Sequence, residues 1–258
     1  LMGAYPPGST FKPSQGLILL QEEIVNLQTA YPCYHGFISG GLRVGCHGHY
    51  SPIPLKPALQ TSCNAYFCWG FKALVDKRSK YGSSANAFEV WKNHLVSLGY
   101  GYKLGVDLPS EGRGFIPNAK FYNKIYGEGH WSANTIISVS IGQGEILATP
   151  LQIANLCASI ANRGWFITPH VVKEIQDTLI DEQYRTRRIP TIDAKYFDEV
   201  AEGMRMAVTG GTCRLANLPD IEVCGKTGTA QNPHGRDHSA FIGFAPYPVS
   251  YTHLRAHE

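Results

Sequence analysis

The sequence contains no run of about eighteen apolar residues, the length a helix needs to cross a bilayer. Its start also lacks a basic stretch followed by an apolar one, so the chain as given carries neither a membrane span nor a signal peptide. Clustered positive charge is equally scarce. No Lys/Arg run exceeds Arg187-Arg188 and the net charge is only +3, which argues against a nucleic-acid partner. Internal repeats and low-complexity tracts are missing as well. What is present is an ordinary globular composition, 258 residues with 43% apolar and 17% charged content, enough to bury a full core in one domain with two lobes. Cysteine is the exception in the other direction: there are seven, an odd number that cannot all pair internally.

Three short motifs stand in order: Ser9-Thr10-Phe11-Lys12, Ser62-Cys63-Asn64 and Lys226-Thr227-Gly228-Thr229. In a helix, a hydroxyl and an amine three residues apart lie on one face, so Lys12 can take the proton of Ser9. A serine hydroxyl is inert near neutral pH without such a base, and a lysine acts as one only when burial or a neighbouring cation keeps it neutral. Lys226 is a candidate for that cation. A serine opening a helix is more often an N-cap, and each triplet alone occurs by chance. Taken together, the order, contexts and separations of the three predict an acyl-transfer site.

Those contexts resemble the class B penicillin-binding proteins. Tyr5-Pro6-Pro7-Gly8-Ser9-Thr10-Phe11-Lys12-Pro13 is similar to the start of their active-site helix, Gly225-Lys226-Thr227-Gly228-Thr229-Ala230-Gln231 to their third-motif strand, and Ile141-Gly142-Gln143-Gly144-Glu145 with Ala148-Thr149-Pro150-Leu151-Gln152 to the segment before a core helix. Leu98-Gly99-Tyr100-Gly101 and the stretch His238–Pro246 are most like the elongation-type members that cross-link side-wall peptidoglycan.

The resemblance implies an α+β transpeptidase fold of the serine β-lactamase-like type, an antiparallel sheet with flanking helices and an all-helical lobe. It implies that Ser9 attacks the penultimate D-alanine carbonyl of a peptidoglycan stem peptide, with Lys12 as base and Ser62 relaying a proton to the departing D-alanine. Asn64 fixes Lys12 and the substrate amide. The N–H groups of Ser9 and Thr229 form the oxyanion hole, while Lys226, Thr227 and Thr229 suit a free carboxylate and Gly228 lets two backbones approach. β-Lactams would acylate the same serine. No cofactor is implied for the chemistry, and the implied partner is a membrane-embedded glycan polymerase, with the parent protein anchored in the inner membrane and its catalytic domain outside the cytoplasm.

Readings of a different class are a β-lactam sensor domain, a serine β-lactamase or a D,D-carboxypeptidase. Glu89 precedes Asn93 at the spacing of a lactamase deacylating base, but between Phe88 and Trp91 a solvated glutamate on a helix is the expectation.

Among the cysteines, Cys33, Cys46 and Cys63 share a loop-rich stretch with His47 and His49, and three thiolates with one imidazole satisfy a closed tetrahedral zinc site. Some elongation-type members carry a zinc beside the active site with one ligand at the middle of the Ser-x-Asn motif, the position of Cys63. The resemblance favours His49 over His47, and a Cys33–Cys46 disulfide is the alternative. Cys68, Cys157, Cys213 and Cys224 read as small buried side chains.

Along the chain, periodicity predicts a helix over 11–27, loop with short strands over 31–57, helices around Ser62, a helix ending at Gly99 and another over 150–163. It further predicts strand and connector over 169–190, a helix over 195–208 stopped by Gly210-Gly211, and an antiparallel hairpin of 221–230 with 239–246. Both ends look incomplete. The family's opening strands precede its serine motif, and Val249-Ser250-Tyr251-Thr252-His253-Leu254 can be translated from the end of a transposase-based sequencing adaptor. The expected native domain is therefore 1–248, with 249–258 a read-through scar. A domain lacking its outer strands and closing helix is expected to fold poorly and acylate slowly when made alone.

Overall fold

Every residue from Lys12 to Leu20 is buried, polar Lys12, Ser14 and Gln15 included, so the helix they form is enclosed on all sides and sits at the centre of the molecule. The computed structural model describes residues 1–230 and 237–247, and the expected scar lies outside the described residues. The central helix, α1 (Lys12–Gln21), follows a 3-10 turn over Gly8–Phe11, and Pro13 occupies its first turn, where a missing N–H costs little. It stops at Gln21, short of the predicted Leu27. Glu23 adopts φ +53°, and the Glu22 carboxylate is held by Lys80, Tyr81 and His94, so the chain reverses although apolar spacing continues to Leu27.

Short strands follow: β1 (Ala30–Tyr31), β2 (Gly36–Ser39), β3 (Leu42–Gly45) and β4 (Ile53–Pro54). β2 and β3 form a hairpin in which Phe37 faces Val44 on the core side, and Ile38 faces Arg43 on the other. Helices α2 (Leu55–Gln60) and α3 (Asn64–Val75) flank Ser62. A one-turn α4 (Arg78–Tyr81), α5 (Ser84–Ser97) and α6 (Ala119–Tyr126) complete the helical lobe, α5 ending before Gly99 at φ +103°.

Phe11, Phe71, Phe88, Trp91, Tyr100 and Tyr122 interlock there edge-on or stacked. Full burial of such a ring stabilises by about 2–3 kcal/mol. Trp91 Nε1 donates to Gln15 Oε1 at 2.6 Å, which ties α5 to α1 and satisfies a polar atom inside the core.

The other lobe carries α7 (Pro150–Ala161), started by a capping box between Thr149 and Gln152, the two-residue strands β5 (Phe166–Ile167) and β6 (Arg187–Arg188), and α8 (Lys195–Gly210). Within 169–190 only Arg187–Arg188 belongs to a strand, so most of that stretch is connector. α8 buries Phe197, Val200, Ala201 and Met204 and packs on α2, β7 and α1. The hairpin β7 (Cys224–Ala230) and β8 (His238–Phe244) is antiparallel with Thr227 opposite Phe241, and β8 lies against α7. Among the described residues β7 pairs with β8 alone, so its other edge is open.

Candidate active site

Ser9 sits in the 3-10 turn that leads into α1, and that turn is held from two sides. Gly8 N–H donates to Gly142 O at 2.9 Å, and Thr10 Oγ1 donates to Pro7 O at 2.7 Å. Gly142 is at φ +74°, and a Cβ there would lie 2.3 Å from Gly8 O, so a glycine is needed for the close approach. Lys12 follows one turn later, fully buried. Its ammonium donates to Ser62 O at 2.6 Å, Ser62 Oγ at 3.1 Å and Asn64 Oδ1 at 2.6 Å. Ser62 can offer both oxygens because it adopts φ +57°, a left-handed conformation that costs a non-glycine residue of order 1–3 kcal/mol.

Lys226, also buried, reaches the same Ser62 Oγ at 2.8 Å from the opposite side and donates to Thr227 O at 2.9 Å. One hydroxyl thus lies between two amines. Burial pulls the Lys12 ammonium down to about 8, against the thiols of Cys46, Cys63 and Cys68, which raise it. Burial and then the charge of Lys12 pull Lys226 down to about 7. Two amines sharing a hydroxyl titrate as a pair, and the first proton leaves near neutrality.

β7 forms the facing wall. Gln143 Nε2 donates to Thr229 O at 3.0 Å, and in an extended strand the N–H and C=O of one residue point the same way, so the Thr229 N–H faces the cavity too. A Cβ at Gly228 would lie 2.8 Å from Thr10 N and 3.1 Å from Pro7 O; the absent side chain is what lets β7 lie against the serine turn. Thr227 Oγ1 donates to Thr212 Oγ1 at 3.1 Å. Ser9, Ser62, Asn64, Thr227, Gly228 and Thr229 line one cavity of about 620 Å³, and both lysines hydrogen-bond to the Ser62 hydroxyl from within the protein. A groove of about 680 Å³ between β8, α7 and Tyr5–Pro7 is lined mainly by apolar side chains and holds none of the motif residues.

The sequence offered His47 only as a metal ligand, and it did not single out Arg43, Ser138, Gln143, Thr212 and Asp237 as residues of this cavity. Gln143 had a signal, because it lies in the Ile141–Glu145 segment; the others had none. Glu89 is not the solvated residue expected. Its carboxylate accepts the Ala119 N–H at 2.6 Å, which caps α6, and pairs with Lys92 at 3.3 Å.

Behind the Ser62-Cys63-Asn64 turn, the ligand atoms of Cys33, Cys46, His49 and Cys63 all lie within 4.8 Å of one another. His49 Nε2 is 3.3 Å from Cys46 Sγ, while its Nδ1 is 2.8 Å from Tyr50 O, the arrangement that leaves Nε2 as the free lone pair. His47 lines the catalytic cavity instead. Hydrogen bonds from the Cys63 thiol first, then His49 and the Asn64 and Ala65 backbone, outweigh burial and pull the Cys46 thiol well below its usual range. All seven cysteines are free thiols, with Cys68, Cys157, Cys213 and Cys224 buried as expected.

A buried Lys/Ser/Lys network beside a half-buried serine, under an open strand edge, defines a class, the serine acyl-transfer domains. Residues 1–251 match the family described as the penicillin binding protein transpeptidase domain, and the chain belongs to that family. It is 31% identical over 95% of its length to the peptidoglycan D,D-transpeptidase MrdA of Acinetobacter baumannii, of which it covers 38%. Pseudomonas aeruginosa PBP2, solved in complex with WCK 5153, is 27% identical with a TM-score of 0.78, covering 96% of this chain and 54% of that one. A chain in a structure described as the coordination of polymerization and crosslinking by a peptidoglycan synthase complex is 29% identical with a TM-score of 0.79, covering 96% and 41%. The fold is therefore the penicillin-binding transpeptidase fold. The chain spans less than half the length of the curated relatives named MrdA that it matches.

Proposed function

We propose that this chain is the acyl-transfer domain of a peptidoglycan D,D-transpeptidase of the elongation type and a target of β-lactams. The observation that carries the reading is Ser62 Oγ held between Lys12 and Lys226 beneath the open edge of β7. Ser9 Oγ attacks the penultimate D-alanine carbonyl, its proton passes to neutral Lys12, and the N–H groups of Ser9 and Thr229 hold the oxyanion. As the tetrahedral adduct collapses, the C–N bond breaks and Ser62 gives its proton to the departing amine, regaining one from Lys226 or from the now protonated Lys12. Lys226, Thr227 and Thr229 bind the C-terminal carboxylate. An amine on a neighbouring strand then takes the acyl group and Ser9 regains its proton.

Lys12 has three acceptors and Lys226 two, which suits an ammonium at Lys12 and a neutral amine at Lys226 in the resting site. Ser62 is then the conduit by which Lys12 passes its proton to Lys226 and becomes a base. Because one amine of the pair must be neutral, acylation should rise with pH by about tenfold per unit below pH 7 and level off above about 8. The assay is release of D-alanine from a peptide ending in D-Ala-D-Ala, with an amine acceptor present. Transfer product with that profile supports the reading; hydrolysis alone points to a carboxypeptidase, and a profile flat from pH 6 to 9 removes the lysine pair from the chemistry.

The same reading assigns Gly228 a measurable part. Gly228→Ala should leave the fold intact and slow acylation by roughly 10²-fold, the effect of a misplacement near 1 Å. Unchanged acylation would show that the approach of β7 to Thr10 is not needed.

The Cys33, Cys46, His49 and Cys63 group fits a structural zinc: its donor set is that of a closed tetrahedral site, and the N–H groups of Asn64 and Tyr66 donate to Cys46 and Cys63 sulfurs at 3.2 and 3.3 Å. The metal would pin the Ser62 turn from behind and take no part in the acyl transfer. Among the described residues no helix is long and apolar enough to cross a membrane. We place the anchor elsewhere in the intact protein, with this domain outside the cytoplasm beside a membrane-embedded glycan polymerase, a partnership supported by the synthase complex above.

A further inference from the structure

One wall of the catalytic cavity is the β3 edge of the β2–β3 hairpin. Arg43, Val44, Gly45 and His47 all line the cavity, while Cys46 belongs to the cluster behind Ser62. The hairpin is held rigidly against the site: Asn64 Nδ2 donates to Gly45 O at 2.7 Å, and Asn134 Nδ2 donates to Ser39 Oγ at 3.2 Å near the turn. On the same face, Ile38 lies opposite Arg43 and is 54% exposed, and Gly36 lies opposite Gly45, leaving bare backbone between them. Among the described residues Arg43 has no hydrogen-bond or ion-pair partner, although it lines a cavity built for polar substrate. The one carboxylate lining the cavity among them, Asp237, is itself engaged.

We propose that this hairpin selects the donor peptide: Arg43 receives a carboxylate carried on an aliphatic side chain upstream of the scissile bond, distinct from the C-terminal carboxylate that β7 receives. The glycine pair and Ile38 form a shelf for the methylene stem, and the guanidinium pairs with the group at its end in the planar, two-pronged way that carboxylates favour. His47 lies beside it. This rests on the acyl-transfer reading above and adds to it the residue that reads the side chain, favouring an acidic one over its neutral counterpart.

The test uses the intact protein, two donor peptides differing only in whether that side chain ends in a carboxylate or its amide, and benzylpenicillin, which has no such group. Wild type should be acylated about tenfold faster by the acid than by the amide, the scale of one charge-assisted contact at a partly solvated site. Arg43→Gln should erase that preference while leaving penicillin acylation within twofold, and Arg43→Lys should restore part of it. Gly45→Val, whose added Cβ would meet no atom within 4 Å, should slow both peptides by filling the shelf. A preference that survives Arg43→Gln, no preference in wild type, or equal loss with all three ligands would overturn the assignment. Wild type inert to penicillin and both peptides would instead overturn the acyl-transfer reading beneath it.

Discussion

Ser9→Ala in the intact protein will abolish labelling by a fluorescent penicillin, a loss on the order of 10⁶-fold where a serine nucleophile is removed from an acyl-transfer site. In the proposed reading the lactam carbonyl would meet the same hydroxyl, the same base and the same two N–H groups as a D-alanyl amide, and no other hydroxyl of the three motifs is placed to replace that of Ser9. Ser62 is the only other serine of the motifs, and its hydroxyl is committed to Lys12 and Lys226. The variant should fold, because Ser9 is half-buried and the turn is held by the Gly8 and Thr10 contacts. Peptide mapping of the wild-type adduct should give one modified residue, Ser9. An adduct on another serine, or labelling that persists in Ser9→Ala, sinks the nucleophile assignment.

The largest effect on stability should come from Cys33→Ser. Elemental analysis of the purified protein is expected to return close to one zinc per chain, and the variant should lose several kcal/mol of the roughly 10–16 kcal/mol a structural zinc contributes. Cys33 is buried and belongs to none of the three motifs, so its loss reports on the cluster rather than on substrate contacts. Cys63 is different. It stands between Ser62 and Asn64, so stripping the metal should also slow acylation as the turn relaxes from its left-handed conformation. A metal-free preparation that is fully active and carries a Cys33–Cys46 bridge would refute the zinc site.

What the sequence made legible was whatever sits within a few residues of itself. Ser9 and Lys12, Ser62 and Asn64, and the run Lys226–Thr229 each declare their chemistry locally, and the order of the three implied that they meet. The glycine at 228 was readable for the same reason, since a strand carrying the third motif must lie close to the serine turn. Illegible were contacts made across long stretches of chain between unremarkable residues: Gln143 to Thr229, Thr212 to Thr227, and the Arg43 wall. Helix boundaries failed where a side-chain network overrode periodicity, as at Glu22 and Glu23, and Glu89 looked solvated only because its partner on α6 was invisible.

On the proposed function, the open edge of β7 carries a cost. Thr229 offers a paired N–H and C=O to the cavity, which means the ligand is read largely as a stretch of backbone, by its carbonyl, its amide and its terminal carboxylate. Any compact molecule that presents those three groups at the same spacing is indistinguishable from the peptide until after Ser9 has reacted. A change to that edge that turns away the mimic would also weaken the hold on the peptide backbone it imitates. Discrimination would instead come from the periphery: from walls such as the β2–β3 hairpin, where a longer peptide would make contacts that a compact mimic does not reach.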